Sequence, residues 1–289
     1  MFEGNDMAPG IVGFDVARAL RPQASLLRSC VTATGIGLAV WEQSKGDVHY
    51  HRARHHTFSL YLRGGSQVRE VSSDAIRPNS TGSCGAICSL PAGEPSAWKN
   101  GGYLRWLHVY FEDRHLSRAA GSKTHGVERV VFGCDPALRE LCQQFLLILD
   151  WDDPGHANVL DHTLMTLLAR SLSIANVTSD FRAPNGGLTG AQRRAVEDTV
   201  ETSLAERITV RNLAEVSGLS PRQFSRAFTV SYGVPPYEWV LRQRVERVRD
   251  LLAEGQKASD VAVLCGFSSQ AHMIRRFRAV FGYTPTAVR

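Results

Sequence analysis

Two histidines one residue apart, His49 and His51, with His55 and His56 close behind, are the residues of this chain that look most like a metal-ligand set, since imidazole suits zinc, copper, iron and nickel. Cys84 and Cys88 form a CxxxC pair, but no second Cys/His pair stands near them at zinc-finger spacing. No nucleophile elbow, phosphate loop, pair of catalytic carboxylates or zinc-protease helix is present. The sequence therefore gives an enzyme reading no positive support. What remains is arginine. From Leu188 onward 14 Arg and one Lys stand against 10 Asp and Glu, which accounts for the whole net charge of +5; the residues before Leu188 balance at 18 of each sign. A domain that attaches to a polyanion shows this asymmetry, although many basic proteins have no such partner.

The elements that must position these residues fall on two sides of a seam. A chain of 289 residues fits two domains better than one, and TSDFRAPNGGLTG, from Thr178 to Gly190, breaks periodic structure on both sides. Before it, from about Ile36 to Tyr110, short apolar runs such as TFSLYLRGG and LRWLHVYF alternate with Gly, Pro, Asn and Ser clusters, the pattern of a small β-sandwich or barrel. Pro136 to Val177 reads as two amphipathic helices, the first with Leu138, Leu141, Cys142, Phe145 and Leu149 on one face, the second with Val159, Leu160, Leu164, Leu167, Leu168 and Leu172. They join at a turn through Asp152, Asp153, Pro154 and Gly155. Such a pair packs either on the β-domain or on a second copy of the chain, and the sequence does not choose. No run approaches the ~18 apolar residues of a membrane span, and MFEGNDMAPG is unlike a signal peptide, so the expected location is the cytoplasm. Six cysteines are too sparse for a disulfide scaffold and are expected to be reduced, most of them buried.

After the seam, helix starts and stops come at short intervals. Thr189 caps a helix to about Leu204; Thr209 caps a short one ending at Gly218; Ser220, with Pro221 at the first helical position, opens another ending at Gly233. Two short helices joined by a glycine-containing turn form a helix-turn-helix. The arrangement then repeats: Ala214, Gly218 and Ser220 correspond to Ala262, Gly266 and Ser268 at an offset of 48, and Arg226, Phe228, Gly233 and Pro236 to Arg275, Phe277, Gly282 and Pro285 at 49. Between the units lies YEWVLRQRVERVRDLLAEG, with Trp239, Val240, Val245, Val248, Leu251 and Leu252 for a buried face. As a helix it spans roughly 28 Å, near the ~34 Å between major-groove openings on one side of B-DNA. One chain with that spacing can place two helices in successive grooves. Phe224, Phe228 and Phe277 fall on the core phase, while Arg242, Arg244, Arg276 and Arg278 suit phosphate contact, which positions without reading sequence.

Over roughly its last 100 residues, through VAVLCGFSSQAHMIRRFRAVFGYTPTAVR, the sequence resembles the AraC/XylS family of bacterial transcription regulators. It departs at Met273, where the family usually has phenylalanine, and at Val288, where it usually has an aromatic. The resemblance implies double-stranded DNA as partner, contact with RNA polymerase, activation of transcription, and base-facing positions near the start of each recognition helix. Carried onto this chain those are Arg222, Ser225 and Arg226 in the first unit and Gln270, His272 and Arg275 in the second. Arg reads guanine and Gln reads adenine through bidentate contacts; Ala271 and Ile274, in the same stretch, have only apolar contacts to offer.

Members of that family often carry an N-terminal cupin-like β-barrel that binds an effector, and PAGEPSAW is similar to the second conserved segment of cupins. Metal-binding cupins place histidines in both segments, but the position three after Gly93 is Ser96, so neither metal nor other cofactor is expected. Along LRWLHVYF, Trp106, His108 and Tyr110 share a face that would point inward; with Trp98, His49 and His51 they are the candidate effector pocket, the alternatives being ordinary core packing for the aromatics and solvent-exposed strand positions for the two histidines. The expected fold is α+β and multidomain: residues 1–177 a cupin-like effector-binding or dimerisation domain (barrel about 30–112, helix pair about 136–177), 178–190 a linker, and 188–289 an all-α double helix-turn-helix domain. The functional expectation is a cytoplasmic, sequence-specific regulator controlled by a small molecule or by homodimerisation. A metal-dependent cupin enzyme with a DNA-binding appendage and an effector-independent DNA-binding dimer are the alternatives.

Overall fold

A computed structural model describes residues 10–72, 82–120, 126–133, 135–175, 186–281 and 284–287. The chain divides into two compact units, Met1–Arg182 and Ala183–Arg289. Residues 178–185 of the expected linker, residues 176 and 177 at the end of the expected helix pair, Cys134, Gly282 and Val288 lie outside the described residues.

In the first unit a short helix α1 (Asp15–Leu20) precedes β1 (Ser25–Val31), β2 (Gly37–Gln43), β3 (Gly46–Tyr50), β4 (His56–Gly64), β5 (Val68–Glu70), β6 (Ile87–Leu90), β7 (Ser96–Asn100) and β8 (Leu104–Phe111). Helix α2 (Asp113–Ala120), β9 (Val130–Gly133), α3 (Pro136–Leu141) and α4 (Ala157–Ala175) follow. The strands form an antiparallel sheet in the order β1-β2-β8-β4-β6-β9 and a second one in the order β3-β7-β5. The cupin-like barrel is thus two facing sheets and not one closed ring among the described residues. Strand β8 is buried along its whole length because both its faces are covered. Leu107, Val109 and Phe111 face a core shared with α2 and α4, and Trp106 and Tyr110 face the core between the sheets.

The helix pair packs within the monomer: Leu138, Cys142, Leu146, Leu160, Leu164 and Leu168 join Phe58, Leu60 and Val109 in one cluster. One expected core position is corrected. Cys142–Leu146 is a π-turn, in which the Leu147 amide donates to the Cys142 carbonyl five residues back. The extra residue per turn rotates Phe145 outward, half exposed, and puts Leu146 in its place. Val159, beside buried Leu160, also faces outward.

The second unit is all helical: α5 (Gly190–Thr202), α6 (Val210–Val216), α7 (Pro221–Tyr232), α8 (Pro236–Ala253), α9 (Ala258–Leu264) and α10 (Gln270–Phe281). Thr189, Thr209 and Ser220 each cap a helix, with Gln192, Asn212 and Gln223 closing the box by accepting from the cap residue's backbone amide. Gly233 ends α7 in the left-handed region at φ 71°, where a side chain would be strained. Phe224, Phe228, Tyr232 and Trp239 build the core of the first lobe, with Phe228 and Tyr232 stacked at 4.3 Å. Val245, Val248, Cys265, Met273 and Phe277 build that of the second. Met273 is fully buried, so the departure from phenylalanine is absorbed by an apolar side chain that fills the same core.

Candidate nucleic-acid interface

The second helix of each helix-turn-helix is held at its N-terminus by a serine. Ser220 Oγ accepts from the Gln223 amide, and Ser269 Oγ accepts from the His272 amide at 3.1 Å. Registering α7 on α10 by these caps pairs Arg222 with Ala271, Ser225 with Ile274, Arg226 with Arg275 and Phe228 with Phe277, and places the one-residue insertion in the turn before α10. Because core positions recur every three to four residues, Phe224, Ala227 and Phe228 turn inward while Ser225 and Arg226 turn out. Arg222, Arg226, Gln270 and Arg275 are exposed and Ser225 is half-buried. These form two polar, arginine-bearing faces, each on the first two turns of a recognition helix. Helix α8 joins the two lobes, and its 18 residues correspond to about 27 Å.

The remaining expected contacts divide. His272 is half-buried against Phe267; one ring nitrogen bonds Ser268 Oγ at 3.1 Å and the other accepts from Arg276 Nε at 3.5 Å. Its ring is occupied in holding the start of α10. Arg276 and Arg278 are exposed. Arg242 is engaged with Glu238 at 2.9 Å, one helical turn away. Arg244 is corrected from a phosphate contact to a structural residue: Nε donates to the Leu204 carbonyl at 3.1 Å, Nη1 to the Gly266 carbonyl at 2.9 Å, and Nη2 to the Glu206 carbonyl. Three of the five guanidinium N–H donors are thus committed to backbone carbonyls on two sides of the unit, which fixes the side chain in the fold.

The first unit has a cavity between its two sheets, lined among others by Tyr50, Tyr61, Cys88, Trp98, Trp106 and His108. Trp106 Nε1–H donates to His108 Nε2 at 2.9 Å, which leaves the imidazole proton on Nδ1, facing the Tyr110 hydroxyl at 3.0 Å; Trp41 Nε1–H donates to the same hydroxyl. Burial pushes His108 down to about 3, so the ring is neutral at any physiological pH. Trp98 donates to buried Ser96, the residue that stands where a metal-binding cupin has histidine. Tyr110 lies beyond His108 and is not part of the lining. His49 and His51 are both exposed, which corrects their place in the candidate pocket and matches the solvent-exposed alternative. Strand β3 pairs with β7 so that Val48 and Tyr50 turn in while His49 turns out. That period of two was available in the sequence and would have selected Tyr50 over its histidine neighbours. His55 is buried against Phe14 and Tyr110, and His56 bonds Asp113 at 2.8 Å. No group of three or more His, Cys, Asp or Glu suited to a metal occurs among the described residues, and no described helix is long and apolar enough to cross a membrane.

A family model described as a helix-turn-helix domain matches residues 213–289. The chain is 33% identical over 136 residues to the probable transcriptional regulator LumQ of Photobacterium leiognathi, covering 47% of this chain and 52% of that protein. It is 34% identical over 117 residues to the transcriptional regulator RipA of Corynebacterium glutamicum, covering 40% of this chain and 35% of that one. The chain thus spans about half or less of these relatives' length. Among solved structures, a probable AraC family transcriptional regulator from Rhodopseudomonas palustris is 31% identical, with 34% of this chain and 93% of that one covered and a TM-score of 0.31. The second unit thus carries a C-terminal helix-turn-helix domain of the AraC type, similar to that of transcription regulators.

Proposed function

We propose that the protein is a sequence-specific DNA-binding transcription regulator that inserts α7 and α10 into successive major grooves of one duplex. The observation that carries this reading is the pair of exposed arginine-bearing faces at the starts of two matched helices, joined by one helix whose length is close to a turn of B-DNA. Arg222, Ser225 and Arg226 read bases in one groove, and Gln270 and Arg275 in the next; Ala271 and Ile274 meet thymine methyls. His272 reaches a base only by giving up its bond to Arg276. Arg276, Arg278 and, on release from Glu238, Arg242 contact phosphates. The relatives are named as transcription regulators, which supports a role outside catalysis; we further propose that the protein works in the cytoplasm as a homodimeric activator that contacts RNA polymerase.

The first unit is the control domain, and its interior cavity is the effector site. The described lining holds no Asp, Glu, Lys or Arg, and His108 is neutral, so no fixed charge is available to compensate an ionised ligand. The effector is therefore uncharged and stacks on aromatic side chains. Selection of bound fragments from the source genome at physiological salt tests the DNA reading. Sites with two short blocks about one helical turn apart per subunit support it, and recovery of fragments without sequence preference, with and without cell metabolites present, overturns it.

A further inference from the structure

We propose that Arg244 is a positioning residue that locks the two helix-turn-helix lobes at a fixed separation, so that specific binding depends on it although it touches no DNA. The inference rests on the DNA-binding reading above and adds how the two readers are held in phase. Arg244 leaves the middle of α8 and grips both lobes at once. It binds the carbonyls of Leu204 and Glu206, in the segment joining α5 to α6, and that of Gly266, in the turn between α9 and α10. A helix alone leaves two lobes free to rock about its ends; a three-point grip by a planar fork with fixed donors removes that freedom.

A second observation marks the same joint. Gly218 and Gly266 occupy the same position in the two units, both in the left-handed region, at φ 68° and 70°. At Gly218 an added Cβ would meet nothing within 4 Å, whereas at Gly266 it would lie 2.9 Å from the Leu204 carbonyl oxygen and 2.8 Å from that of Ala205. The turn of the second lobe is thus pressed directly onto the loop of the first. Backbone touches backbone there, and Arg244 closes over the contact.

The test compares Arg244→Met and Arg244→Lys with the wild-type full chain on duplexes carrying two blocks at the selected spacing, two blocks moved one base pair apart, and one block alone. Loss of the lock weakens binding to the selected spacing by about tenfold or more, leaves the one-block duplex unchanged, and flattens the preference for spacing. Lysine does not rescue, because one ammonium cannot span three carbonyls. The slope of affinity against salt stays at the wild-type value, whereas loss of a phosphate contact reduces it by about one. Rescue by lysine together with a reduced slope would return Arg244 to the phosphate contacts and overturn the proposal. Spin labels on exposed sites of α7 and α10 give a readout without DNA: the interlobe distance distribution broadens in Arg244→Met, and an unchanged narrow distribution refutes the lock even if no DNA site is ever recovered. Should Arg244→Met fail to fold, Gly266→Ala probes the joint from its other side against Gly218→Ala, which carries the same backbone strain in open space. Broadening in Gly266→Ala alone supports the lock, and equal behaviour of the two refutes it.

Discussion

Replacing Arg222 by alanine separates base reading from every other role that arginine can have. Arg222 is exposed at the second position of α7, two residues before Phe224 and so turned away from the buried Phe224–Phe228 face, and its side chain takes no part in the Ser220–Gln223 cap. Its removal therefore leaves the helix start and the core intact, and the unfolding free energy from urea titration stays within about 0.5 kcal/mol of wild type. A bidentate arginine–guanine contact is worth about 1–3 kcal/mol of discrimination, so affinity for the selected site falls about 5- to 150-fold. The loss is confined to one base pair. Fluorescence anisotropy with the selected duplex and its three single-base variants at that position measures this directly. Wild type discriminates among the four, and Arg222→Ala does not, while both bind scrambled DNA alike. Two results would refute the reasoning. Equal affinity of the variant for the selected site means that α7 does not enter the groove by this face; a uniform loss on all sequences with a shallower salt slope means that Arg222 meets phosphate.

Ala271, the counterpart of Arg222 in the second lobe, predicts the converse: Ala271→Arg shifts the preferred base opposite that position toward guanine, as read by repeating the fragment selection. Phe228→Ala empties the centre of an aromatic cluster and costs about 3–5 kcal/mol, seen in urea unfolding of the second unit by tryptophan emission. His108 makes stability depend on pH with a defined sign. Its folded value, lowered to about 3 from 6.5, means the unfolded chain takes up a proton first, so stability is lost as pH falls below 6.5, by about 1.4 kcal/mol per unit until the folded value is reached. The fall in unfolding free energy between pH 6.5 and 5 is about 2 kcal/mol smaller in His108→Gln than in wild type; an identical fall in both excludes the assignment. An uncharged aromatic compound that raises the melting temperature of the full chain does not do so in Trp98→Ala, measured by differential scanning fluorimetry.

The second unit was legible in the sequence because its signals are local. A capping side chain acts within three residues, a left-handed glycine acts on its own φ, and the inward phase of Phe224, Phe228 and Phe277 follows from 3.6 residues per turn. The first unit was less so. Which residue points inward depends on strand register: His49 and Tyr50 are neighbours in sequence and on opposite faces in the sheet, and sequence alone left pocket and solvent both open for the histidine. Phe145 fits the helical period and is nonetheless exposed, because a π-turn adds a residue that no periodicity in the sequence announces.

Arg244 shows most clearly where a reading from composition stops. In sequence it is one of four arginines in α8, indistinguishable from Arg242, Arg247 and Arg249 as a cation for a polyanion. What separates it is a property of the fold: three carbonyls that α5 and the last helix-turn-helix leave unpaired converge on the middle of α8. A carbonyl without a backbone donor takes one from a side chain or water, and the side chain best able to serve three at once is a guanidinium. The repeat makes the same point through glycine. Gly218 and Gly266 share a φ and a place in the motif, so either satisfies the local requirement of the turn. At Gly266 alone there is also another backbone in the space a Cβ would take. Two copies of one plan are thus alike wherever the demand is local and differ where one copy must sit against the other, and the residues that set the distance between two DNA readers belong to the second kind.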